Sequence, residues 1–227
     1  MRQKSLALPM VVVAWLTCGC SFGSFQTAHT QAPSSVSVTP GVAQVFNRID
    51  DQNGRGQLTN LGAQVGGRLG LTDRVDVGLG SFLFGGVKAD VKVNLLEPHE
   101  RLALSPRLGA GYRFGGNRAA GLLEGGAIAS YRLFDKLEPY FGLTFANHWI
   151  EPAPPPGPLP PNVVGRRGSG DGVLQMSLGL QLEISQHVAL LGEYGHWFPL
   201  NDDPGDFYAF VPTNIAGLAL RIGKLRP

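Results

Sequence analysis

The chain has 227 residues, 16 % of them charged, with 32 glycines, 17 prolines and a formal net charge of +2. The charged fraction lies below the roughly 25 % usual for soluble globular proteins, and the near-neutral balance excludes the basic footprint of a nucleic-acid binder. Cys18 and Cys20 are the two cysteines, so the body of the chain has neither a disulfide framework nor a thiolate metal site, and no apolar run reaches the about 18 residues of a membrane-spanning helix.

In chain order, residues 1–20 read as an export signal. Arg2 and Lys4 supply a short positive region, and LALPMVVVAWL (6–16) supplies an apolar core too short to span a bilayer as a helix. The stretch LTCGCS resembles the lipobox of bacterial lipoproteins. Gly19 precedes Cys20 and Ser21 follows it, while Thr17 stands where that motif usually has leucine. The resemblance implies lipidation at Cys20; the alternative is ordinary cleavage. Residues 21–40 are rich in Ser, Thr, Gln, Ala and Pro and show no period. Such a segment buries little apolar surface of its own, which predicts a flexible tether with His29 solvated.

Residues 41–227 read as one β domain. A weak first strand, GVAQVFNRI (41–49), is followed by LGAQVGGRLGL (61–71), RVDVGLGSFLF (74–84), GVKADVKVNLL (86–96) and LALSPRLGAGYRF (102–114). LLEGGAIASYRL (122–133), LEPYFGLTFANHW (137–149), VLQMSLGLQLEI (173–184), VALLGEYGHWF (188–198) and NIAGLALRI (214–222) complete the series. In 86–96, Val87, Ala89, Val91, Val93 and Leu95 oppose Lys88, Asp90, Lys92 and Asn94. A period of two is that of a strand with one apolar and one polar face. The count is about ten strands, with eight possible.

The connections sort by end. Thr72-Asp73-Arg74, Phe134-Asp135-Lys136, Ser185-Gln186-His187 and the Glu97–Arg101 connection fall at one end. Residues 50–57, 84–86, 115–118, 151–171 and 201–212 fall at the other. Short turns at one end and long loops at the other are the asymmetry of an outer-membrane barrel. The polar faces carry Arg68, Asp76, Lys88, Asp90, Lys92, Arg107, Arg113, Glu124, Arg132, Glu138, Glu183, Glu193 and Arg221. These are expected to face a lumen, where charges of both signs pair. Aromatics such as Tyr112, Tyr131, Phe134, Trp149, Tyr194 and Phe198 sit near strand ends, as bilayer interfaces favour. Glycines 66, 78, 80, 109, 111, 126, 142 and 179 are expected to leave water-filled pockets in that lumen.

The fold expected is an all-β, antiparallel, up-and-down transmembrane barrel. Hairpins such as GLTDRVDVGLG and LFDKLEPYFGLTF resemble those of the small bacterial outer-membrane β-barrel proteins, the class of OmpA-, OmpX- and OmpW-like barrels, over residues 41–223. The resemblance implies a Gram-negative cell envelope, with outer-membrane lipid and the barrel-insertion machinery as partners; the even strand count puts both termini at the short-turn end, which predicts a periplasmic N-terminus. This chain departs from the class in ending RIGKLRP rather than on an aromatic residue, and in carrying a lipobox ahead of a barrel.

No motif points to catalysis, a cofactor or a metal. His148, Glu138 and Glu193 form a candidate acid/base set, with Ser130 or Thr144 as a nucleophile to be tested by geometry. His196 points outward by parity, and His99 and His187 lie in turns. The sequences GDG (170–172) and DDPGD (202–206) lack the full spacing of a calcium loop. The proline-rich stretch 151–171 reads as a stiff spacer or as an exposed loop for an extracellular ligand, and no nucleic acid is expected as a partner. The expected function is a non-enzymatic outer-membrane barrel with a structural, surface-interaction or narrow-permeability role and a filled, ion-paired lumen. The alternatives are an outer-membrane enzyme acting on lipid or peptide at the barrel mouth, and a soluble periplasmic β-sandwich lipoprotein.

Overall fold

A computed structural model describes residues 25–51, 54–82, 86–113, 120–150, 171–200 and 214–224. Ten strands are formed among them: β1 (Val36–Asp51), β2 (Gly54–Gly70), β3 (Val75–Phe82), β4 (Gly86–Val93), β5 (Leu102–Arg113), β6 (Ala120–Tyr131), β7 (Leu137–Ile150), β8 (Asp171–Ser185), β9 (Val188–Pro199) and β10 (Asn214–Gly223). Each pairs antiparallel with its neighbour in sequence, and β1 closes on β10, from Ser37 opposite Gly223 to Phe46 opposite Asn214. Closure leaves no edge strand with unpaired backbone groups.

The alternation of the sequence becomes an inside and an outside. Leu79 and Leu178 are 67 % and 62 % exposed, whereas Asp76, Lys92 and Glu138 are 0 %, 1 % and 2 % exposed. This is the inverse of a water-soluble sandwich, in which the leucines would be covered and the charges solvated. The β-sandwich alternative is therefore overturned. In β4 the sides alternate at every residue: Lys88, Asp90 and Lys92 point in, Val87, Ala89, Val91 and Val93 point out.

The two ends differ as the connection lengths predict. Residues 71–74, 94–101, 132–136 and 186–187 join strands at one end. In the β6–β7 turn, Phe134 and Asp135 have consecutive positive φ values of 50° and 58°. That is the turn conformation whose twist suits a hairpin, and Leu133 and Leu137 exchange backbone hydrogen bonds across it. The opposite end carries the connection 151–170, which lies outside the described residues.

Two boundaries differ from expectation. The first hairpin is longer than its alternation suggested, with pairing from Val36 opposite Leu69 to Asp51 opposite Gly54. Residues expected in a loop at 50–57 thus belong largely to strands, and β1 begins at Val36 rather than at residue 41. The outward run Val36, Val38, Val42 simply continues the apolar face, with Ser37, Thr39 and Ala43 turned inward.

The second difference concerns the region read as a tether. Its described part is ordered: residues 36–40 are strand, and residues 25–32 lie inside the barrel. Ser34, at φ 57°, reverses the chain at the short-turn mouth, where its N–H donates to Gly70 O (2.9 Å) and Gly70 N–H donates to Ser35 O (3.0 Å). Phe25, Gln26, Thr27, Ala28, His29, Gln31 and Ala32 are all buried. Residues 21–24 lie outside the described residues. The segment lacks a core of its own and finds one in the polar wall of the lumen.

Gly70 is the close-approach point. A Cβ there would lie 2.1 Å from Ala32 O and 2.7 Å from Gln31 O, both backbone atoms. Gly125 faces outward, and its nearest neighbour would be a Leu108 methyl at 3.7 Å. Gly70→Ala is therefore expected to cost about 1–3 kcal/mol by forcing the backbone apart, and Gly125→Ala no more than about 0.5 kcal/mol. Urea unfolding of the two variants refolded in detergent checks the difference.

Candidate functional site

Among the described residues, the lumen is where charged side chains gather away from water, and its wall is built by strand parity. β2, β3 and β4 contribute Arg68, Asp76, Asp90 and Lys92. Arg68 Nε donates to Asp76 Oδ1 (2.9 Å), its Nη2 reaches the same carboxylate, and Nη2 also lies 2.8 Å from Asp90 Oδ1. Further round, Lys88 Nζ pairs with Glu124 (3.0 Å), which also faces Arg107 (3.5 Å), and Arg107 Nη2 donates to Thr144 Oγ1 (3.1 Å). On the far wall Arg221 Nη1 donates to Gln181 Oε1 (3.0 Å). Buried ions are tolerable only when paired and hydrogen-bonded, and the alternation of signs around the wall supplies the partners.

The N-terminal segment threads this charged wall, and the wall's side chains bond its backbone. Lys92 Nζ donates to Thr27 O (2.8 Å) and His29 O (2.9 Å) while lying 3.5 Å from Asp76. Ser105 Oγ donates to Ala28 O (2.6 Å), and the Ala28 N–H donates to Ser130 Oγ (3.2 Å). Gln31 N–H donates to Asp76 Oδ2 (3.0 Å), and Phe25 N–H donates to Glu193 Oε2 (2.9 Å), which Tyr140 Oη also approaches (2.8 Å). The Phe25 ring lies in an apolar sector with Ala43, Val45, Val173, Leu191, Trp197, Ile215 and Ala219. The lumen is thus mainly polar, with an apolar sector toward the long-loop ends of β1, β8, β9 and β10; the same strands also carry the buried Gln181, Glu193 and Arg221. The inward parity of Val45, Leu191 and Ile215 was legible, but their meaning as a seat for an aromatic ring was not.

Ser130 and Glu138 come together with His29, whereas the side chain of His148, the base of the set named from the sequence, lies outside the described residues. His29 Nδ1 is 2.7 Å from Glu138 Oε1 and its Nε2 is 3.1 Å from Glu100 O. Both ring nitrogens are thus engaged, one by a carboxylate and one by a backbone carbonyl. Ser130 Oγ donates to Glu138 Oε1 (2.6 Å). A serine nucleophile needs a free imidazole nitrogen as base; here Ser130 Oγ lies 3.4 Å from His29 Nδ1, but that nitrogen is taken by Glu138 at 2.7 Å and the serine donates to the same carboxylate. The trio reads as a latch on the segment. His29, expected to be solvated, is instead 7 % exposed, because the segment it belongs to is enclosed.

The remaining positions fall as follows. Arg132 lines the recess at the short-turn mouth with His29 and Asn94. Glu183 is buried. The side chains of Arg113 and His148, Cys20, and the stretches 151–170 and 201–213 lie outside the described residues. His196 faces outward near Asn214, with Nδ1 2.8 Å from Asn214 Oδ1. Among the described residues no group of three or more His, Cys, Asp or Glu is arranged to hold a metal ion.

The expectation of water pockets at the lumen glycines is revised at several positions. A Cβ at Gly78 would meet the Arg68 guanidinium at 2.6 Å, and one at Gly179 the Tyr140 ring at 2.0 Å. These glycines make room for large side chains from neighbouring strands. Gly66 and Gly80 do border a small recess, beside Arg68, Lys88 and Asp90.

No family model and no curated protein matches this chain. Among solved structures, it is similar to the translocator domain of the autotransporter NalP from Neisseria meningitidis, at 12 % identity and a TM-score of 0.48, covering 86 % of this chain and 89 % of that one. It is also similar to the N-terminal β-barrel domain of Pseudomonas aeruginosa OprF (14 % identity, TM-score 0.38, covering 85 % and 99 %) and to the Yersinia pestis outer membrane protein Ail (10 % identity, TM-score 0.38, covering 84 % and 99 %). Nothing about activity is carried over from them.

The latch makes a quantitative prediction. His29→Gln and Glu138→Gln each remove one member of the pair, so the double variant is expected to cost less than the sum of the singles, with a coupling of about 1–3 kcal/mol. A double-mutant cycle of unfolding free energies measures it, and additive costs would show that the two side chains act independently.

Proposed function

We propose that this protein is a non-enzymatic β-barrel of the bacterial outer membrane, closed by its own N-terminal segment, with a structural or surface-interaction role in the cell envelope. The observation that carries the reading is the combination of an apolar exterior with a charged lumen already occupied by residues 25–32. Outward Val and Leu side chains form the band that would meet hydrocarbon. Tyr131 and Phe134 at the short-turn end, and Tyr112, Trp149, Tyr194 and Phe198 toward the other, are exposed aromatics placed as the two interfacial girdles of such barrels are.

In this reading the short turns face the periplasm and the long connections face outward. Residues 1–20 direct export, Cys20 is the lipidation site, and the proline-rich stretch 151–171 is the candidate contact for an extracellular ligand. Outer-membrane lipid and the insertion machinery are the partners. The enzyme alternative has no support from Ser130, His29 and Glu138, whose polar atoms are committed to one another and to the backbone.

Two measurements test this. A ten-stranded barrel is only slightly wider than one whose interior its own side chains just fill, and here a peptide segment shares the space. The purified full chain in a planar bilayer is expected to show no stable single-channel steps, and deletion of residues 25–32 is expected to produce them. Porin-sized steps from the intact chain would move the function to solute transport. The second measurement is parity. Leu178→Arg, exposed on the outer wall, is expected to cost about 2–4 kcal/mol in lipid vesicles if it lies near the midplane. Gly80→Ser, inside and beside open space, is expected to cost less than about 1 kcal/mol. Equal tolerance of the two would argue against membrane insertion.

A further inference from the structure

The wall holds residues 25–31 mainly by their backbone. Glu193 accepts from the Phe25 N–H (2.9 Å), Ser130 Oγ from the Ala28 N–H (3.2 Å) and Asp76 from the Gln31 N–H (3.0 Å). Lys92 donates to the carbonyls of Thr27 and His29, and Ser105 to that of Ala28. The segment bends at Ala28 and His29, which lets one ammonium meet two carbonyls. Every residue offers a carbonyl, and every residue but proline an N–H, so this grip is indifferent to sequence. Gln26 and Thr27 make the same point from the side-chain end. Both are buried, yet Gln26 Oε1 and Thr27 Oγ1 have no hydrogen-bond partner. Polar side-chain bonds belong to the end at the short-turn mouth, from His29 to Glu138 and from Thr30 to Asp73 O. Two positions are chosen by shape. The Phe25 ring lies among Val45, Leu191, Trp197 and Ile215, with Gly217 as its floor, where a Cβ would come within 2.5 Å of Phe25 Cζ. Ala28 is fully enclosed against Ala103, Ile128 and Tyr140, and a larger side chain there would have to displace one of them.

We propose that the lumen is a peptide-binding site, that it takes a short segment carrying an aromatic residue three positions before a small one, and that residues 25–31 are its resident ligand. Residues 25–32 belong to no strand, and the turn at Pro33–Ser35 joins them to β1. Their contacts are those of a bound peptide: main-chain hydrogen bonds supply the hold, and two side-chain seats supply the selection. None of these contacts requires the covalent tie to β1. A peptide of the same pattern on another protein therefore meets the same wall once the resident segment is out. This binding activity goes beyond the role given under Proposed function and holds whichever way the barrel faces.

The test uses the full chain with its resident segment expelled. Ala28→Glu and Phe25→Asp each place a carboxylate in an enclosed apolar seat, at a cost that favours an empty lumen. The fluorescein-labelled peptide FQTAHTQA is titrated into each variant in detergent micelles and followed by anisotropy. Saturable binding to both variants is expected, with binding to the parent chain, whose site is filled, weaker by about tenfold or more. Replacing Gln26 and Thr27 of the peptide by serine is expected to change its affinity by no more than about threefold. Phe25→Ser in the peptide is expected to weaken it about tenfold, and so is N-methylation of its Ala28 amide, which removes the donor to Ser130. Folded variants that take up no peptide overturn the proposal. So does equal binding to parent and variants, which would put the peptide elsewhere, and so does loss of binding on the two serine replacements. A variant that does not fold alone is refolded with the peptide present. Recovery of a compact gel band that shifts on boiling supports the site, and no recovery overturns it.

Discussion

A peptide segment inside a narrow barrel must find partners for backbone groups that have lost water, and that requirement organises the whole lumen. A buried, unpaired amide or carbonyl costs as much as a lost hydrogen bond. Here the partners are wall side chains rather than another strand. Lys92 is the centre of the arrangement: one ammonium satisfies the carbonyls of Thr27 and His29 and lies beside Asp76. Asp76 in turn accepts from Arg68 and from the Gln31 amide. Around Asp76 and Lys92 the charges of the lumen are thus arranged in chains that end on backbone atoms of the segment, which makes this part of the wall a specific seat.

The exterior imposes the opposite condition. Leu, Val and aromatic side chains cover it with almost no interruption, and the outward Gly125 and Gly192 meet only leucine methyls. On the inside, glycine is where a neighbour needs room, as at Gly179 beneath Tyr140 or Gly126 against Leu143 O and Thr144. The same residue type therefore has different work on the two faces. Outside it thins the wall; inside it admits a ring, a guanidinium or a passing backbone.

Much of this was legible beforehand because a period of two is a local property. The parity of Lys88, Asp90 and Lys92 against Val87, Ala89 and Val91 needs no knowledge of distant contacts, and neither does the difference between the LTDR turn and the stretch 151–171. The lumen segment was not legible, because nothing in FQTAHTQA encodes its partners. Those partners, Asp76, Lys92, Ser105, Ser130, Glu138 and Glu193, come from six strands and converge only on closure. By itself the segment has the composition of a solvated linker, and His29 the look of a surface residue. A hint did exist in the inward faces of β1, β8, β9 and β10: Val45, Val173, Leu191 and Ile215 gather apolar side chains on a wall that is elsewhere rich in charges, which asks for an apolar occupant. The start of β1 was missed for a related reason, since the serines and threonines of 34–39 match linker composition as well as a lumen-facing strand.

Phe25 lies against Gly217 of the last strand, at the seam where β10 meets Val42 and Ala43 of the first. The ribosome makes the ring early and its seat last, so the ring gains this contact only when the cylinder shuts. After that, the occupant cannot be diluted away, because it is covalently continuous with β1 through a few residues and its local concentration is fixed by the chain. Its return to the seat after any excursion is therefore an intramolecular step, set by chain connectivity rather than by the concentration of the protein.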